Sequence, residues 1–243
     1  MKFSIGDVVG RTFSSIGRNA RLFAGLSAVL VGVPAFAVGL LQGGADGSTQ
    51  VSAGVLIVGL IGALVSVVTQ YILIGAIVRG AIIDFNGAKA EFGDCFRTGL
   101  KHAAPIFAIA LLTSLGTVLG LILLVVPGII LAIMWSVSVP VRVVESLGVT
   151  ESLGRSQELT KGSRWSLFGL GLIYVVILIL ISGAVGVLGV LTTGLGLIAF
   201  ALFNAVLTIV LAVIGAVVVA AVYYELRTKK EGVGVEALAA VFD

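Results

Sequence analysis

The sequence predicts an all-α integral membrane protein, and three observations predict it. Of 243 residues, 59% are hydrophobic and 11% charged, with a mean hydropathy of +1.22; a water-soluble globule does not carry that balance. The apolar residues fall in runs at 22–41, 51–78, 103–124, 129–144, 165–191 and 197–226, and most of these reach the ~20 residues that cross a bilayer. The charged residues gather between runs, in segments at 4–18, 90–102 and 149–162 whose apolar side chains repeat at helical spacing. The expected architecture is six transmembrane helices arranged as three hairpins, each preceded by an interfacial amphipathic helix, in one polytopic domain over 1–243.

Ser4 to Arg18 opens the chain as an amphipathic helix with Ile5, Val9, Thr12 and Ile16 on one face. The first span, Leu22–Leu41, contains Pro34, which is expected to kink it. Ala35-Phe36-Ala37 has the form of a signal-peptide cleavage site, but the charged segment ahead of it is longer than a usual n-region, so a retained span is the preferred reading. A polar turn at 43–50 leads to the second span, 51–78, where Gln70 is the one strongly polar side chain. A single intramembrane Gln is expected to make a helix-to-helix hydrogen bond.

Residues 79–102 return to charge, with Asn86-Gly87 as a turn and Phe92, Phe96 and Ala103 on one face against Asp94 and Lys101. The lone histidine, His102, is expected at the membrane boundary rather than as a proton carrier. The lone cysteine, Cys95, excludes an internal disulfide and reads as a small reduced residue. In the third span, 103–124, Gly116 and Gly120 form a GxxxG face for close helix contact. Pro127-Gly128 is expected to end that run, and the fourth span, 129–144, is short, so full crossing and a partly re-entrant pair both remain open.

Between 145 and 168 lies the most informative segment, ESLGVTESLGRSQELTKGSRWSLF. Val149, Leu153, Ser156, Leu159 and Thr160 share one helical face, while Glu151, Arg155, Glu158 and Lys161 share the other. Thr150 is the expected N-cap and Gly162 the C′ residue. Ile5, Val9, Thr12 and Ile16 recur here as Val149, Leu153, Ser156 and Thr160, and Asp7 with Arg11 recurs as Glu151 with Arg155; the constant offset of 144 points to an internal repeat. Trp165 then opens the fifth span as an interfacial tryptophan. In the sixth, Ala212, Ala216 and Ala220 form a small-residue packing stripe, Asn204 and Thr208 stand one turn apart as a polar feature inside the bundle, and Tyr223 and Tyr224 are expected at the exit interface.

The segment ESLGRSQELTKGSRWSLFGL, preceded by PGIILAIMWSVSVPVRVVE, resembles the membrane domain of bacterial glycerophosphoryl diester phosphodiesterases and of related stand-alone membrane proteins, most sharply over Pro127–Leu170. The resemblance implies a membrane-embedded helical domain and carries no catalytic residues with it.

Charge fixes the expected orientation. All 15 Lys and Arg residues lie on one side of the six-span scheme, and the opposite turns hold only Asp46. That bias places both termini in the cytoplasm, in a bacterial inner membrane. The net charge of +3 does not indicate nucleic acid, because the cations flank apolar spans instead of forming a soluble basic face. No metal-ligand cluster, nucleophile elbow, phosphate loop or intramembrane acidic pair is present, so no catalytic residue, metal or cofactor is expected. Glu145 and His102 are all that a lipid-modifying enzyme would have to offer at the boundary.

The leading expectation is therefore a non-enzymatic protein that organises membrane lipid, or a membrane partner protein or a second copy of itself, at the cytoplasmic surface. Arg18, Arg21, Arg97, Lys101, Arg155, Lys161 and Arg164 are the expected contacts to anionic headgroups. A plainer role for the same charges is to fix topology and pair with neighbouring acids. The alternative function is a transporter or channel for a small or lipid-like solute through Gln70, Asn204 and Thr208, opposed by the lack of ionisable residues deep in the spans.

Overall fold

A computed structural model describes residues 3–34, 36–37, 53–191 and 197–232, and among these the chain is helical with no strand. In order the helices are α1 (Ile5–Arg18), α2 (Ala20–Ser27, continued by a π-helical turn Ala28–Gly32), α3 (Ala53–Phe85), α4 (Phe92–Leu123) and α5 (Val125–Met134), then α6 (Ser138–Glu145), α7 (Val149–Thr160), α8 (Arg164–Leu191) and α9 (Leu197–Glu231).

Five segments of the described chain are long and apolar enough to cross a membrane: Gly59–Phe85, Phe92–Leu123, Val125–Glu145, Arg164–Gly183 and Leu202–Glu231. The outward faces of these segments carry bare Leu, Ile and Val, among them Leu64, Leu115, Ile122, Ile179 and Leu180, which water would not tolerate and lipid would. The protein is a multi-pass membrane protein. Of the first expected span, 22–41, most of the described part lies in the shorter apolar helix Ala20–Gly32, and residues 35 and 38–41 lie outside the described residues, as do the turns 43–50 and 192–196 and the tail 233–243.

The core forms around α3, which packs against both α4 and α9, and includes the fully buried Leu73, Ile77, Ile106, Val217, Ala220 and Tyr223. Glycine sets the closest approaches. A Cβ on Gly99 of α4 would stand 2.3 Å from the Ile72 carbonyl oxygen of α3, so the two backbones touch and no larger residue fits. The anticipated Gly116 and Gly120 face is used by the next helix in the chain: a Cβ on Gly120 would lie 2.8 Å from the Gly128 Cα, and one on Gly116 would strike the Trp135 ring at 2.4 Å.

Several boundaries differ from expectation, each for a local reason. The expected amphipathic helix 90–102 and span 103–124 are one continuous helix, α4, with Pro105 inside it. Proline removes one hydrogen bond, here to the Lys101 carbonyl at the charged end of the span, and no capping signal accompanies it, so the helix continues past it. Pro127-Gly128 does not begin the break either: the turn is a single extended residue, Leu124 (φ −160, ψ 139), and α5 starts at Val125. Pro127 sits in the first turn, where a missing N–H costs nothing. α3 runs on to Phe85 and α9 to Glu231, beyond the expected ends at 78 and 226. Thr150 is not the N-cap of α7; Gly148 is, and its N–H donates to the Glu151 carboxylate at 2.8 Å. Gly162 does follow the helix in the left-handed region (φ +88), as a C′ glycine does.

Candidate functional site

At one end of the bundle the charged residues of six helices meet, and most of them meet each other. Glu145, at the end of α6, accepts from the Tyr223 hydroxyl of α9 at 2.8 Å and from Arg155 Nε of α7 at 3.0 Å. Arg155 also pairs with Glu231 and, at 3.6 Å, with Glu158. Arg227 donates to Glu231 at 2.8 Å and to the Tyr223 hydroxyl at 3.0 Å. Arg18 of α1 grips both oxygens of Asp84 at the end of α3, at 3.0 and 2.7 Å, and hydrogen bonding and charge from Asp84 raise the guanidinium's pKa above its ordinary value. Arg79 pairs with Asp94 at 3.0 Å, and Arg11 stands 3.9 Å from Glu225 and 4.9 Å over the Tyr224 ring. The ion pairs therefore run mostly between elements, tying α1 to α9 and α3, and α7 to α6 and α9.

Helices α1 and α7 are held by more than charge. Each buries small hydroxyl residues against the bundle: Thr12 and Ser15 on α1, and Ser152, Ser156 and Thr160 on α7. Ser156 has a structural task. Its hydroxyl donates to the Met134 carbonyl at 2.7 Å and accepts from Val137 N–H at 3.3 Å. The interruption between α5 and α6 is thus repaired by a side chain from the third helix along. In the repeat register its counterpart is Thr12, also fully buried, whose hydroxyl instead returns to the Val8 carbonyl at 2.8 Å.

The residues singled out from sequence fall into groups. Arg18 and Arg155 are committed to the carboxylates just described. Arg21, Arg97, Lys101 and Lys161 are exposed and make no hydrogen bond or ion pair with a described residue. Arg164 is half-buried at the start of α8, with its Nε enclosed and unbonded. Glu145 is absorbed by Tyr223 and Arg155. His102 is not at an exposed boundary: it is 4% exposed, packed inside, with Nδ1 unbonded. Tyr223 and Tyr224 are likewise buried parts of the core and network instead of interfacial anchors. Trp165, 87% exposed, has the environment expected of an interfacial residue.

Gln70 and Thr208, far apart in sequence, line one cleft of about 310 Å³ together with Val31, Pro34, Ser66 and Thr69. Asn204 stands a turn away, its carbonyl accepting from the Thr208 hydroxyl at 2.8 Å. The helix-to-helix hydrogen bond expected of Gln70 is not made to any described residue. The π-helical turn before Pro34 forms one wall; nothing in the sequence pattern announced it.

A second, larger cavity of about 440 Å³ opens between α5, α8 and α9, lined mostly by apolar side chains, with Ser136 and Tyr174 as its polar members. Among the described residues no group of three His, Cys, Asp or Glu converges. No family model, curated protein or solved structure matches the chain.

Proposed function

We propose that the chain is a non-enzymatic protein of a bacterial cytoplasmic membrane that organises anionic phospholipid at its charged end, with six spans arranged as three hairpins and both termini in the cytoplasm. The observation that carries this reading is the division among the cations. Where a carboxylate is near, Arg18, Arg79, Arg155 and Arg227 take it; Arg21, Arg97, Lys101 and Lys161 are left at the rim with their charges facing outward. Each such cation near an anionic leaflet contributes roughly 1 kcal/mol. The resemblance of Pro127–Leu170 to a membrane domain without catalytic residues supports the same reading.

Two experiments test it. Replacing Arg21, Arg97, Lys101 and Lys161 with Gln lowers the phosphatidylglycerol and cardiolipin that co-purify, seen by native mass spectrometry, while the paired cations keep the bundle folded; unchanged lipid composition would refute lipid organisation. For orientation, a cysteine at Ser48 is labelled by an impermeant maleimide in intact cells and one at Gln157 is not, and the reverse pattern overturns the topology. Gln157 is exposed, whereas Ser156 is buried and would resist label on either side.

A second reading, passage of a small solute, is favoured by the cleft at Gln70 and Thr208 beside a π-turn and a proline, a combination found where transmembrane helices are interrupted for function. Among the described residues that line it the cleft holds no Asp, Glu, Lys, Arg or His, which favours an uncharged solute. Solute flux through proteoliposomes that falls on Gln70→Leu would raise this reading over the first.

A further inference from the structure

The cavity between α5, α8 and α9 opens where α8, fastened near its start, draws away from the bundle. Near its start Leu167 and Leu170 are buried, and Ser163, just ahead of it, accepts from Lys229 of α9 at 2.8 Å. Beyond that the helix stands away: no residue from Gly171 to Gly183 is buried, whereas α9 buries Val213, Ala216, Val217, Ala220 and Ala221 along its length. Gly171 widens the gap, since it lines the cavity without a side chain and a Cβ there would meet nothing within 4 Å. The walls are Ile133 of α5, Leu167 and Val175 of α8, and Val219 and Val222 of α9. From Leu167 to Val175 the groove runs ~12 Å along the helix axis. A trough of this kind, roofless toward the bilayer, is not left empty in hydrocarbon.

Charge says what fills it. One turn before Leu167, at the end of the groove nearest the charged collar, stands Arg164, its Nε enclosed and unbonded. Lys161 is exposed three residues earlier, with no partner among the described residues, and Lys230 lies close enough for the two positive charges to act on each other. Cations at the headgroup end of an aliphatic trough match the two ends of an anionic phospholipid. We propose that this groove is a binding site for one anionic phospholipid, an acyl chain lying between α5, α8 and α9 and the phosphate at Arg164 and Lys161. The site rests on the lipid-organising reading and sharpens it from a general leaflet preference to one retained molecule.

The test uses the full chain purified in detergent, supplied with dioleoyl phosphatidylglycerol or dioleoyl phosphatidylcholine and examined by native mass spectrometry at rising collision energy. The wild-type chain is expected to retain one phosphatidylglycerol after the loosely bound lipids have left, and to retain phosphatidylcholine at least fivefold less. Gly171→Trp puts an indole at a lining position where a Cβ has open space and should abolish the retained lipid; Gly171→Ala, which leaves the trough open, should keep it. Helix content by circular dichroism confirms that both variants fold. Lys161→Gln with Arg164→Gln should remove the preference between the two lipids. Equal retention by Gly171→Trp and wild type, or equal retention of the two lipids by wild type, overturns the proposal. Failure of the groove and failure of the collar are distinguishable. If Gly171→Trp changes nothing while neutralising Arg21, Arg97, Lys101 and Lys161 still lowers co-purified anionic lipid, the collar reading stands and the groove falls.

Discussion

Helices α8 and α9 read almost alike in sequence and behave as opposites in the fold. Their most apolar windows have mean hydropathies of 2.5 and 3.0, both ample for a membrane span. Yet α9 is the central post of the bundle, with Val217, Ala220, Ala221, Tyr223 and Leu226 buried, while α8 exposes Leu172, Val176, Ile179 and Leu180 around its circumference. Hydrophobicity cannot separate them, because lipid and protein interior are equally apolar and there is no hydrophobic drive between helices inside a bilayer. What separates them is small residues at helical spacing and polar groups at the end. α9 offers Ala216 and Ala220 for close approach and Tyr223, Arg227 and Glu231 for the network, whereas α8 offers glycines that contact nothing and one hydrogen bond through Ser163.

Substitutions should break this contrast by graded amounts. The largest effect is expected for Ala220→Phe, which overfills a fully buried position of α9 and should destabilise the bundle by about 3 kcal/mol, read as an earlier midpoint in SDS unfolding followed by tryptophan fluorescence. Next comes Arg155→Gln, which strips the cation from Glu145 and Glu231; about 2 kcal/mol is expected, and the loss should shrink when Glu145→Gln is added, because the stranded carboxylate is then neutral. Ser156→Ala leaves the Val137 N–H and the Met134 carbonyl without their partner, at a cost of about 1–2 kcal/mol, and hydrogen exchange should quicken at Ser136 to Ser138. The smallest effect belongs to α8: Val176→Phe, on its exposed wall, should stay within about 0.5 kcal/mol. A loss at Val176 as large as that at Ala220 would erase the distinction between the two helices.

These same residues mark how much was legible beforehand. The membrane class, the amphipathic helix at 4–18 and the Gly116–Gly120 contact follow from periodicity and spacing, which are local properties. The interruption at Trp135 to Val137 was invisible because its remedy, Ser156, lies about twenty positions downstream and looks in the sequence like an ordinary residue of an amphipathic face. Tyr223 looked like an interfacial anchor for the same reason: its partners Glu145 and Arg227 come from another helix and from the next turn. Among the candidate site residues, sequence found the cations but could not sort them, since the sorting depends on which carboxylates the fold brings near. Arg18 differs from Arg21 only because Asp84 stands beside it. Gln70 and Thr208 were each visible, but that they share one cleft is a property of packing.

The central claim, that α8 stands in lipid and α9 holds the bundle, is tested most directly by nitroxide scanning. Single cysteines are introduced at each position from Leu172 to Leu180 and from Val213 to Tyr224, spin-labelled in liposomes, and measured for collisional access to oxygen; the native Cys95, fully buried, stays unlabelled. The account predicts high, nearly flat oxygen access along α8 and, along α9, minima at Val213, at Ala216 and Val217, and throughout Ala220 to Tyr224, separated by higher access at Ile214, Gly215, Val218 and Val219. Matching minima along α8, at the 3.6-residue spacing of a helix packed on one face, would contradict it.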